Sequence, residues 1–324
     1  MHNPTRVINR IFQFLVIYCL FSGGASAQDS SIFPIIVEHA LGKTRIEARP
    51  ERIVTIGWSG EDAVLALGLV PVGMTEYKFF PSGMFPWNET AVGDAKPILL
   101  SDAVIDFEAV AALRPDVILG IYSGVDDVSY KRLSAIAPTV VYRSGPWQAD
   151  WMEQTYLTGE ALGKRQEAQK LINDTIAELR ALGTSHPALV SKTFIFGSYF
   201  PGGNGIVVYL PKDPRVAALV ELGMVVPPYV ADLASQNPAE LSVLVSFEEM
   251  EKLAPDLVVM WYKPGAREAL EKQPLFTSLD AFQSGRYVPL EDAVSIWATS
   301  ALSVRSIPYF YPRFIGQLAD AAAH

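Results

Sequence analysis

The most regular hydrophobic pattern in the chain lies between Lys164 and Leu182. Apolar side chains recur there at steps of three and four residues, the spacing of one face of an α-helix. About nineteen residues at ~1.5 Å each predict a rod on the order of 30 Å long, near the width of a small domain. Gly163 and Gly183 flank the segment and predict its ends. The apolar positions are Ala168, Leu171, Ile172, Thr175, Ile176, Leu179 and Leu182.

The sequences on the two sides of this helix partly repeat each other. Residues 106–122 and 246–262 align without gaps, and each copy pairs a helical segment with the continuous apolar run of a buried strand. We therefore predict an α/β fold of two similar lobes joined by a single long backbone helix, with a ligand cleft between the lobes. A surface helix within one domain is the alternative. The shared residues are Phe107/Phe247, Glu108/Glu248, Leu113/Leu253, Pro115/Pro255, Asp116/Asp256 and Tyr122/Tyr262.

Strand and helix patterns alternate through both flanks, which sets the predicted domain boundaries. Residues 52–57, 61–67 and 71–74 predict a strand–helix–strand unit with parallel pairing, and residues 76–97 predict an aromatic-rich loop. A helical joint between lobes predicts small lobe rotation on ligand binding. The predicted segments are a signal peptide at 1–27, an N-terminal lobe at 28–147, connecting helices at 148–184 that include the backbone helix 164–182, and a C-terminal lobe at 185–324.

The N-terminus has the three parts of a secretory signal peptide. Arg6 and Arg10 precede the apolar run 11–21, and Ala25-Ser26-Ala27 offers a small-residue cleavage site. Cleavage would remove Cys19 and place a cysteine-free chain in the periplasm, stabilised by core burial alone. Loss of the two arginines takes the formal charge from −9 to −11. This charge argues against nucleic acid as a partner and suits a freely diffusing monomer.

Catalytic residues are sparse in the sequence. Ser59 follows a predicted strand in Gly57-Trp58-Ser59-Gly60-Glu61, which resembles a nucleophile elbow without its closing glycine. The mature chain offers as bases only His39, His186 and His324, too few for a His/Cys metal cluster. We predict that the protein is not an enzyme and needs no cofactor. A secreted two-domain hydrolase that uses Ser59 is the rival from another functional class.

Aromatic and basic residues gather instead in loops after predicted strands or near helix starts. In open α/β sheets the carboxyl ends of the strands line the ligand crevice. Aromatic faces with a few arginines suit a flat, anionic or polarisable ligand. The predicted ligand-binding residues are Trp58, Tyr77, Trp87, Tyr122, Arg143, Trp147, Tyr199, Trp261, Tyr262, Trp297 and Arg305.

Several short segments together resemble one protein family. They are Pro50-Glu51-Arg52-Ile53-Val54, Glu61-Asp62, Ala66-Leu67-Gly68, Pro71-Val72-Gly73, residues 113–119 and residues 133–139. This set resembles the periplasmic binding proteins for iron–siderophore and vitamin B12 uptake, over roughly residues 35 to 320. The resemblance implies capture of a ferric siderophore and its delivery to the permease subunits of an ABC importer. Haem, cobalamin or another iron chelate are the alternative ligands.

The resemblance also implies roles for particular residues. Asp127, or Asp126 beside it, and Glu221 match the acids through which this family docks on its transporter. Tyr122 and Trp297 match cleft residues of ferric-hydroxamate binders. The arginine that those binders carry after a Val-Gly pair is absent after Val92-Gly93, which weakens the case for hydroxamates. Arg143 and Arg305 are the candidate arginines for a charged catecholate chelate.

Overall fold

A computed structural model describes residues 32–324; the predicted signal peptide, residues 1–27, lies outside the described residues. Residues Phe33–His324 form one compact unit. It begins with an antiparallel hairpin of β1 (Ile35–His39) and β2 (Gly42–Ile46). Two five-stranded sheets follow, one in each half of the described chain. Within residues 32–324, no helix is both long enough and apolar enough to cross a bilayer.

The N-terminal sheet is entirely parallel, with strand order β5-β4-β3-β6-β7. Its strands are β3 (Ile53–Thr55), β4 (Gly73–Thr75), β5 (Ile98–Leu100), β6 (Val117–Gly120) and β7 (Thr139–Val141). Its helices are α1 (Gly60–Ala66), α2 (Pro86–Val92), α3 (Phe107–Ala112) and α4 (Asp127–Ser134). The segment 76–97, predicted as a loop, therefore contains a helix. Pro86 occupies the first helical position of α2, where a missing N–H costs nothing.

Two packed helices lead from the first sheet to the second. They are α5 (Trp151–Ala161) and the long helix α6 (Arg165–Ser185). Helix α6 continues two residues past Gly183, which was predicted to end it. A Cβ at Gly183 would lie 2.3 Å from the carbonyl oxygen of Leu222, so this glycine permits a close approach to the second lobe.

The C-terminal sheet has the strand order β10-β9-β8-β11-β12 and mixed direction. Its strands are β8 (Phe194–Ser198), β9 (Gly205–Tyr209), β10 (Ser242–Ser246), β11 (Leu257–Trp261) and β12 (Tyr287–Leu290). Strand β9 runs antiparallel to both neighbours, whereas β8, β11 and β12 are parallel. The helices are α7 (Pro214–Glu221), α8 (Pro228–Gln236), α9 (Ala266–Leu270), α10 (Pro274–Thr277), α11 (Asp280–Gln283), α12 (Ala293–Ser300) and α13 (Ser306–Ala322).

The sequence repeat corresponds to the same strand in each sheet, β6 in the first and β11 in the second, which pairs with the central strand β3 or β8. In both copies the chain turns through a left-handed residue, Arg114 (φ 46°) or Ala254 (φ 37°), and enters the strand two residues after a proline. The carboxylate of Asp116 accepts hydrogen bonds from two backbone amides just before β3, one of them that of Arg52. The carboxylate of Asp256 accepts in the same way from the amide of Thr193, just before β8. Each aspartate therefore fixes the repeated strand to the central strand of the same sheet, β6 to β3 and β11 to β8.

Candidate ligand-binding cleft

A cavity of about 600 Å³ lies between the two lobes, beyond the carboxyl ends of strands from both sheets. Trp58 follows β3 and Asp102 follows β5, while Trp261 ends β11. This placement is the one expected for the ligand crevice of open α/β sheets. The lining residues are Trp58, Phe79, Asp102, Arg215, Trp261, Tyr262, Lys263, Pro264, Glu291, Ala293, Ile296, Trp297 and Ser300.

Aromatic rings from both lobes form much of the cavity wall. Trp297, on α12 of the C-terminal lobe, meets Trp58 of the N-terminal lobe edge to face, with ring centroids 4.9 Å apart. Phe79 lies 5.7 Å from Trp297 on the same wall. Behind Trp58, the rings of Tyr122 and Trp147 pack at 6.2 Å and 5.2 Å. The wall is continuous across the lobe boundary, so a ligand here would contact both lobes.

Arg215 is the buried cation of the cavity. Its Nη1 donates to Oδ2 of Asp213 at 2.8 Å, and its Nε donates to the Ser300 hydroxyl at 3.4 Å. Asp213 also caps α7 by accepting from the backbone amide of Arg215, so the carboxylate fixes both ends of this residue. A guanidinium carries five N–H donors, and these two bonds leave others for a ligand oxygen. Burial raises the pKa of Asp213, while the Arg215 charge acts in the opposite direction.

Two phenols lie close to Arg215. Its guanidinium carbon stacks 4.3 Å from the ring centre of Tyr209, whose hydroxyl accepts a hydrogen bond from Trp261 Nε1 at 2.9 Å. Tyr122 approaches from the other lobe. Burial raises the pKa of the Tyr122 phenol, and the positive charge of Arg215 opposes that rise. Tyr209 and Tyr122 therefore enclose the Arg215 guanidinium from the two lobes.

The remaining charges at the cavity balance. Lys263 lies with its Nζ 5.4 Å from the ring centre of Phe200, and Glu291 accepts from Arg267 at 2.6 Å. Asp102 lies at the opposite wall, in the N-terminal lobe. Asp102, Arg215, Lys263 and Glu291 sum to zero formal charge, and partner residues neutralise two of them. The cavity therefore offers local donors rather than a strong positive field.

A second, smaller cavity of about 280 Å³ lies wholly on the N-terminal lobe and shares Asp102 with the first. Trp147, which is 42 % exposed, forms part of its wall. The backbone of Trp147 is left-handed (φ 57°), and its indole fits against Gly124, where a Cβ would lie 2.6 Å from Nε1. The glycine therefore allows Trp147 to stand between Trp58 and this second cavity.

Residues 53–293 match the family model described as periplasmic binding protein. The chain belongs to the periplasmic binding protein family. Two crystal structures of PiaA, an iron uptake ABC transporter substrate-binding protein from Streptococcus pneumoniae TIGR4, superpose with TM-scores of 0.77 and 0.80 at 31 % and 30 % identity. Each covers 89 % of this chain and 99 % of PiaA, and the second contains ferrichrome. A probable siderophore-binding lipoprotein of Bacillus subtilis, YfiY, is 26 % identical over 90 % of this chain and 92 % of its own length.

The cleft of this periplasmic binding protein contains some of the residues predicted from sequence. Trp58, Trp261, Tyr262 and Trp297 line the main cavity. Tyr262 does so with a buried side chain, because its hydroxyl bonds that of Tyr287 at 2.6 Å. Tyr122 and Trp147 stand behind Trp58, as described above.

Three predicted aromatic residues pack inside the protein instead of lining the cavity. Tyr77 is 1 % exposed; its hydroxyl accepts from the Ser59 amide at 2.8 Å. Trp87 is buried and donates its Nε1 to Asp62 Oδ2 at 2.7 Å. Tyr199 is buried in the core of the C-terminal lobe. These residues lie near strand ends, but their rings are buried in the core and do not line the cavity.

The two predicted arginines also lie outside the cavity. Arg143 donates to the carbonyl of Glu38 at 2.9 Å and to Glu160 at 2.5 Å, so it fastens the hairpin to α5. Arg305 joins the two lobes by donating to Asn88 Oδ1 at 2.7 Å and to the carbonyl of Trp87. Neither arginine is among the residues that line the cavity.

The cavity also contains residues that the sequence interpretation did not single out. They are Phe79, Asp102, Arg215, Lys263, Pro264, Glu291, Ala293, Ile296 and Ser300. Phe79 lay in a segment recognised as aromatic, and its neighbour Tyr77 was chosen instead. The Asp213-Pro214-Arg215 sequence was a usable signal, because an acid at the N-cap can hold an arginine two residues on.

The acids predicted to dock on a transporter lie on different lobes. Asp127 is exposed at the first position of α4, while neighbouring Asp126 is the N-cap and accepts from the Ser129 amide at 2.8 Å. Glu221 is exposed at the last position of α7 and accepts from Arg180 at 3.0 Å. Asp127 is therefore the freer of the two neighbouring aspartates.

Ser59 has a structural position. The residue is 1 % exposed, and its hydroxyl donates to Gln154 Oε1 at 3.0 Å. His39 instead bonds Thr44 and His186 bonds the carbonyl of Leu182, so neither pairs with the serine. A nucleophile requires an adjacent base and an open approach, and Ser59 has a buried amide partner instead.

Proposed function

We propose that the protein captures a ferric siderophore in the cleft between its lobes and delivers it to an ABC importer. The observation that carries this proposal is the cavity itself, with aromatic walls from both lobes and one buried, pre-oriented arginine. A siderophore surrounds iron with anionic oxygens and covers them with an organic shell. Arg215 can donate to such oxygens, and Trp58 and Trp297 can pack on the shell.

The charge balance of the cavity favours a chelate of low net charge. A triply charged catecholate complex would need several unpaired cations, and Arg215 is already paired with Asp213. A neutral ferric hydroxamate needs only local donors to its oxygens. The arginine that the sequence lacks after Val92-Gly93 has a counterpart in Arg215, which reaches the cavity from the other lobe. The ferrichrome complex of the similar protein PiaA supports this ligand class.

Titration of the purified mature protein tests the proposal. Tryptophan fluorescence would be followed with ferrichrome, a catecholate chelate, ferric citrate, haem and cobalamin. Trp58 and Trp297 line the cavity, so a bound chelate should quench their emission. We expect quenching by the neutral hydroxamate at the lowest concentration. Preference for haem or cobalamin would assign a different ligand, and no quenching by any compound would reject the proposal.

A matched pair of arginine variants sharpens the titration. Arg215→Gln should weaken chelate binding by roughly 30-fold or more, because a buried charge-assisted contact is lost. Arg143→Gln is the control, since Arg143 lies outside the cavity on the N-terminal lobe. Removing Arg215 leaves Asp213 buried and unpaired, so Arg215→Gln is also combined with Asp213→Asn to keep the protein folded. Equal affinity in the folded double variant and the wild type would exclude Arg215 from the site.

For delivery, we propose that Asp127 and Glu221 contact basic pockets on the permease, one from each lobe, in the periplasm. Both carboxylates are exposed, and Glu221 would exchange Arg180 for a cation of the transporter. Such rim charges control encounter and register more than ligand affinity. A monomer with no resident cofactor is sufficient for this role.

A further inference from the structure

The two lobes meet at a second place besides helix α6. There the carboxylate of Asp62, on α1 of the N-terminal lobe, accepts hydrogen bonds from Trp87 Nε1 at 2.7 Å and from Asn88 Nδ2 at 2.5 Å. Oδ2 of Asp62 also accepts from the hydroxyl of Ser303, in the C-terminal lobe. Asp62 and Ser303 are both buried. A carboxylate of the first lobe is therefore hydrogen-bonded directly to the second.

Arg305 completes this contact from the second lobe. Its Nε donates to Asn88 Oδ1 at 2.7 Å, and its Nη2 donates to the carbonyl of Trp87. Asn88 thus bonds Asp62 with its amide nitrogen and Arg305 with its amide oxygen. We call the set Asp62, Trp87, Asn88, Ser303 and Arg305 the interlobe junction. Buried hydrogen bonds of this kind are costly to leave unmade, so separating the lobes here would expose or orphan each partner.

The junction is connected to the ligand cleft through a short stretch of chain. Helix α12 carries Trp297 and ends at Ser300, and α13 begins at Ser306. Ser303 and Arg305 lie in the turn between these helices. The Ser303 hydroxyl also accepts from the backbone amide of Ser306 at 2.9 Å, which fixes the turn to the start of α13. Holding the turn against the N-terminal lobe therefore also holds the end of α12.

Trp297 fits into an aromatic pocket on the N-terminal lobe. Its ring lies 4.9 Å from Trp58 and 5.7 Å from both Tyr77 and Phe85. Phe85 stacks in turn on Trp87, at 4.5 Å, and Trp87 belongs to the junction. Polar and aromatic contacts thus converge on the residue that forms the cleft wall from the C-terminal side.

We propose that the interlobe junction sets the angle between the lobes and holds Trp297 in the cleft, with Asp62, Ser303 and Arg305 as positioning residues for ligand binding. The Glu61-Asp62 pair, one of the segments by which the sequence resembles the family, then has a structural role. Asp62 joins the lobes, while Glu61 is fully buried beside Tyr77, whose hydroxyl lies 3.4 Å from Glu61 Oε2. The effect on affinity rests on the proposed function, whereas the effect on lobe angle does not.

The test compares Arg305→Met, alone and with Ser303→Ala, with wild type. Arg313→Met is the matched control, because Arg313 is an exposed arginine on α13, the helix that follows Arg305. Methionine keeps most of the length of the arginine side chain and removes its donors. Small-angle scattering and tryptophan emission are measured first without ligand, and circular dichroism confirms cooperative folding. Arg305→Lys is included because it keeps a donor of the same charge.

In the ligand-free state, we expect Arg305→Met to increase the radius of gyration and to shift tryptophan emission to the red, as Trp87 and Trp297 gain solvent. The double variant should show larger shifts, Arg305→Lys smaller ones and Arg313→Met none. Affinity for the chelate that binds the wild type should fall about tenfold in Arg305→Met, the loss of one to two buried hydrogen bonds. Saturating chelate should restore the wild-type radius of gyration.

A folded Arg305→Met protein with unchanged scattering and emission would overturn the junction proposal, whatever its affinity. If the double variant fails to fold, the single variant still decides the question. If the wild type binds no chelate, the proposed function fails, and the ligand-free scattering still reports on the junction. If Arg305→Met binds the chelate more weakly but keeps the wild-type lobe angle, Arg305 does not position the lobes, and the proposal is overturned for that residue.

Discussion

The two lobes share the arrangement of their five-stranded sheets but differ in the direction of one strand, β4 in the first and β9 in the second. In each, the repeated strand, β6 or β11, begins after a left-handed turn, and an aspartate fixes it to the central strand, β3 or β8. In the N-terminal lobe, β3 leads through α1 to the parallel strand β4. In the C-terminal lobe, β8 leads through residues 199–204 directly to the antiparallel strand β9.

This difference decides what each lobe contributes to the cleft. The N-terminal lobe places Trp58 between β3 and α1, and α1 also carries Asp62 of the interlobe junction. The C-terminal lobe has no helix between β8 and β9, and its chain reaches the cavity through Arg215 at the start of α7. Both lobes contribute aromatic surface, whereas the ion-paired residues Arg215 and Glu291 come from the C-terminal lobe alone among the residues that line the cavity. The same sheet arrangement therefore supports two different halves of one binding site.

The largest expected effect is a difference in stability between substitutions at two structurally equivalent positions, one in each lobe. Strand pairing aligns Gly57 with Ser198, because Ile53 pairs with Val117 as Phe194 pairs with Leu257. Gly57 has a φ of 92°, and a Cβ there would lie 2.2 Å from the carbonyl oxygen of Tyr122. Gly57→Ala should therefore lower the free energy of unfolding by about 3 kcal/mol or more.

Ser198→Ala is the matched substitution in the other lobe. The Ser198 hydroxyl is buried and has no hydrogen-bond partner among the described residues. Its removal should leave stability within about 0.5 kcal/mol of wild type. Urea unfolding of both variants measures the difference, and equal stability of the two would show that the backbone constraint at Gly57 is absent.

A pH dependence of intermediate size should come from Asp62 in the N-terminal lobe. Burial raises the pKa of Asp62 from 3.8 to about 6. Between these values the folded protein holds a proton that the unfolded chain has released, so stability falls as pH rises through this window. The contribution should be on the order of 2 kcal/mol.

Asp62→Asn removes this titration. Thermal melts of wild type and variant over about pH 3.5 to 7 would measure how the dependence of stability on pH differs between the two proteins. His39 is present in both proteins, so its titration largely cancels in the comparison. Burial and the Asp62 carboxylate both raise the pKa of Glu61, so the difference between the two proteins reports the Glu61–Asp62 pair. Parallel pH profiles would show that Asp62 titrates normally.

The equivalent aspartates of the two lobes, Asp116 and Asp256, should have smaller and similar effects on stability. Asp116→Ala and Asp256→Ala each remove a carboxylate that accepts backbone amides at the start of a sheet. Each should cost about 1 to 2 kcal/mol in the free energy of unfolding. The two losses should be alike, because Asp116 accepts from two backbone amides and Asp256 accepts from one amide and from the Thr193 hydroxyl at 2.8 Å. A loss in only one of the two variants on denaturant unfolding would contradict the hydrogen-bond argument.

Substitution of the exposed acids should have the smallest effect on the isolated protein. Asp127→Ala with Glu221→Ala should leave chelate affinity unchanged, because neither side chain lines the cavity. Uptake of iron by cells should fall, more in the double variant than in either single one. Asp126→Ala is the control, since that carboxylate is occupied as a helix cap. Normal uptake at normal protein level in the double variant would remove both acids from the docking proposal.

Hydrophobic periodicity was sufficient to predict the architecture. The face of α6 from Ala168 to Leu182 and the repeated Leu–Pro–Asp segment gave two α/β lobes on a long helix, as found. Both signals are local in sequence. The ends of α6 were predicted less well, because Gly183 reflects contact with Leu222 across the fold.

The site was predicted only in part, for a physical reason. Trp58 and Trp297 could be chosen because they follow or open regular elements at the crevice. Tyr77 and Trp87 carry the same signal, yet partners on α1 draw them into the core. The place of Arg215 at the cavity depends on the antiparallel course of β9, which no local pattern encodes, although its pairing with Asp213 is local in sequence.

The most direct test of the account is a crystal structure with ferrichrome, in which anomalous scattering locates the iron. We expect the iron complex in the interlobe cavity, against the wall that Trp58 and Trp297 form, with an oxygen of the chelate within hydrogen-bond distance of Arg215. The angle between the lobes should differ little from that described here, because α6 and the interlobe junction both hold it. Iron bound outside this cavity, or a complex formed only after wide lobe closure, would contradict the account.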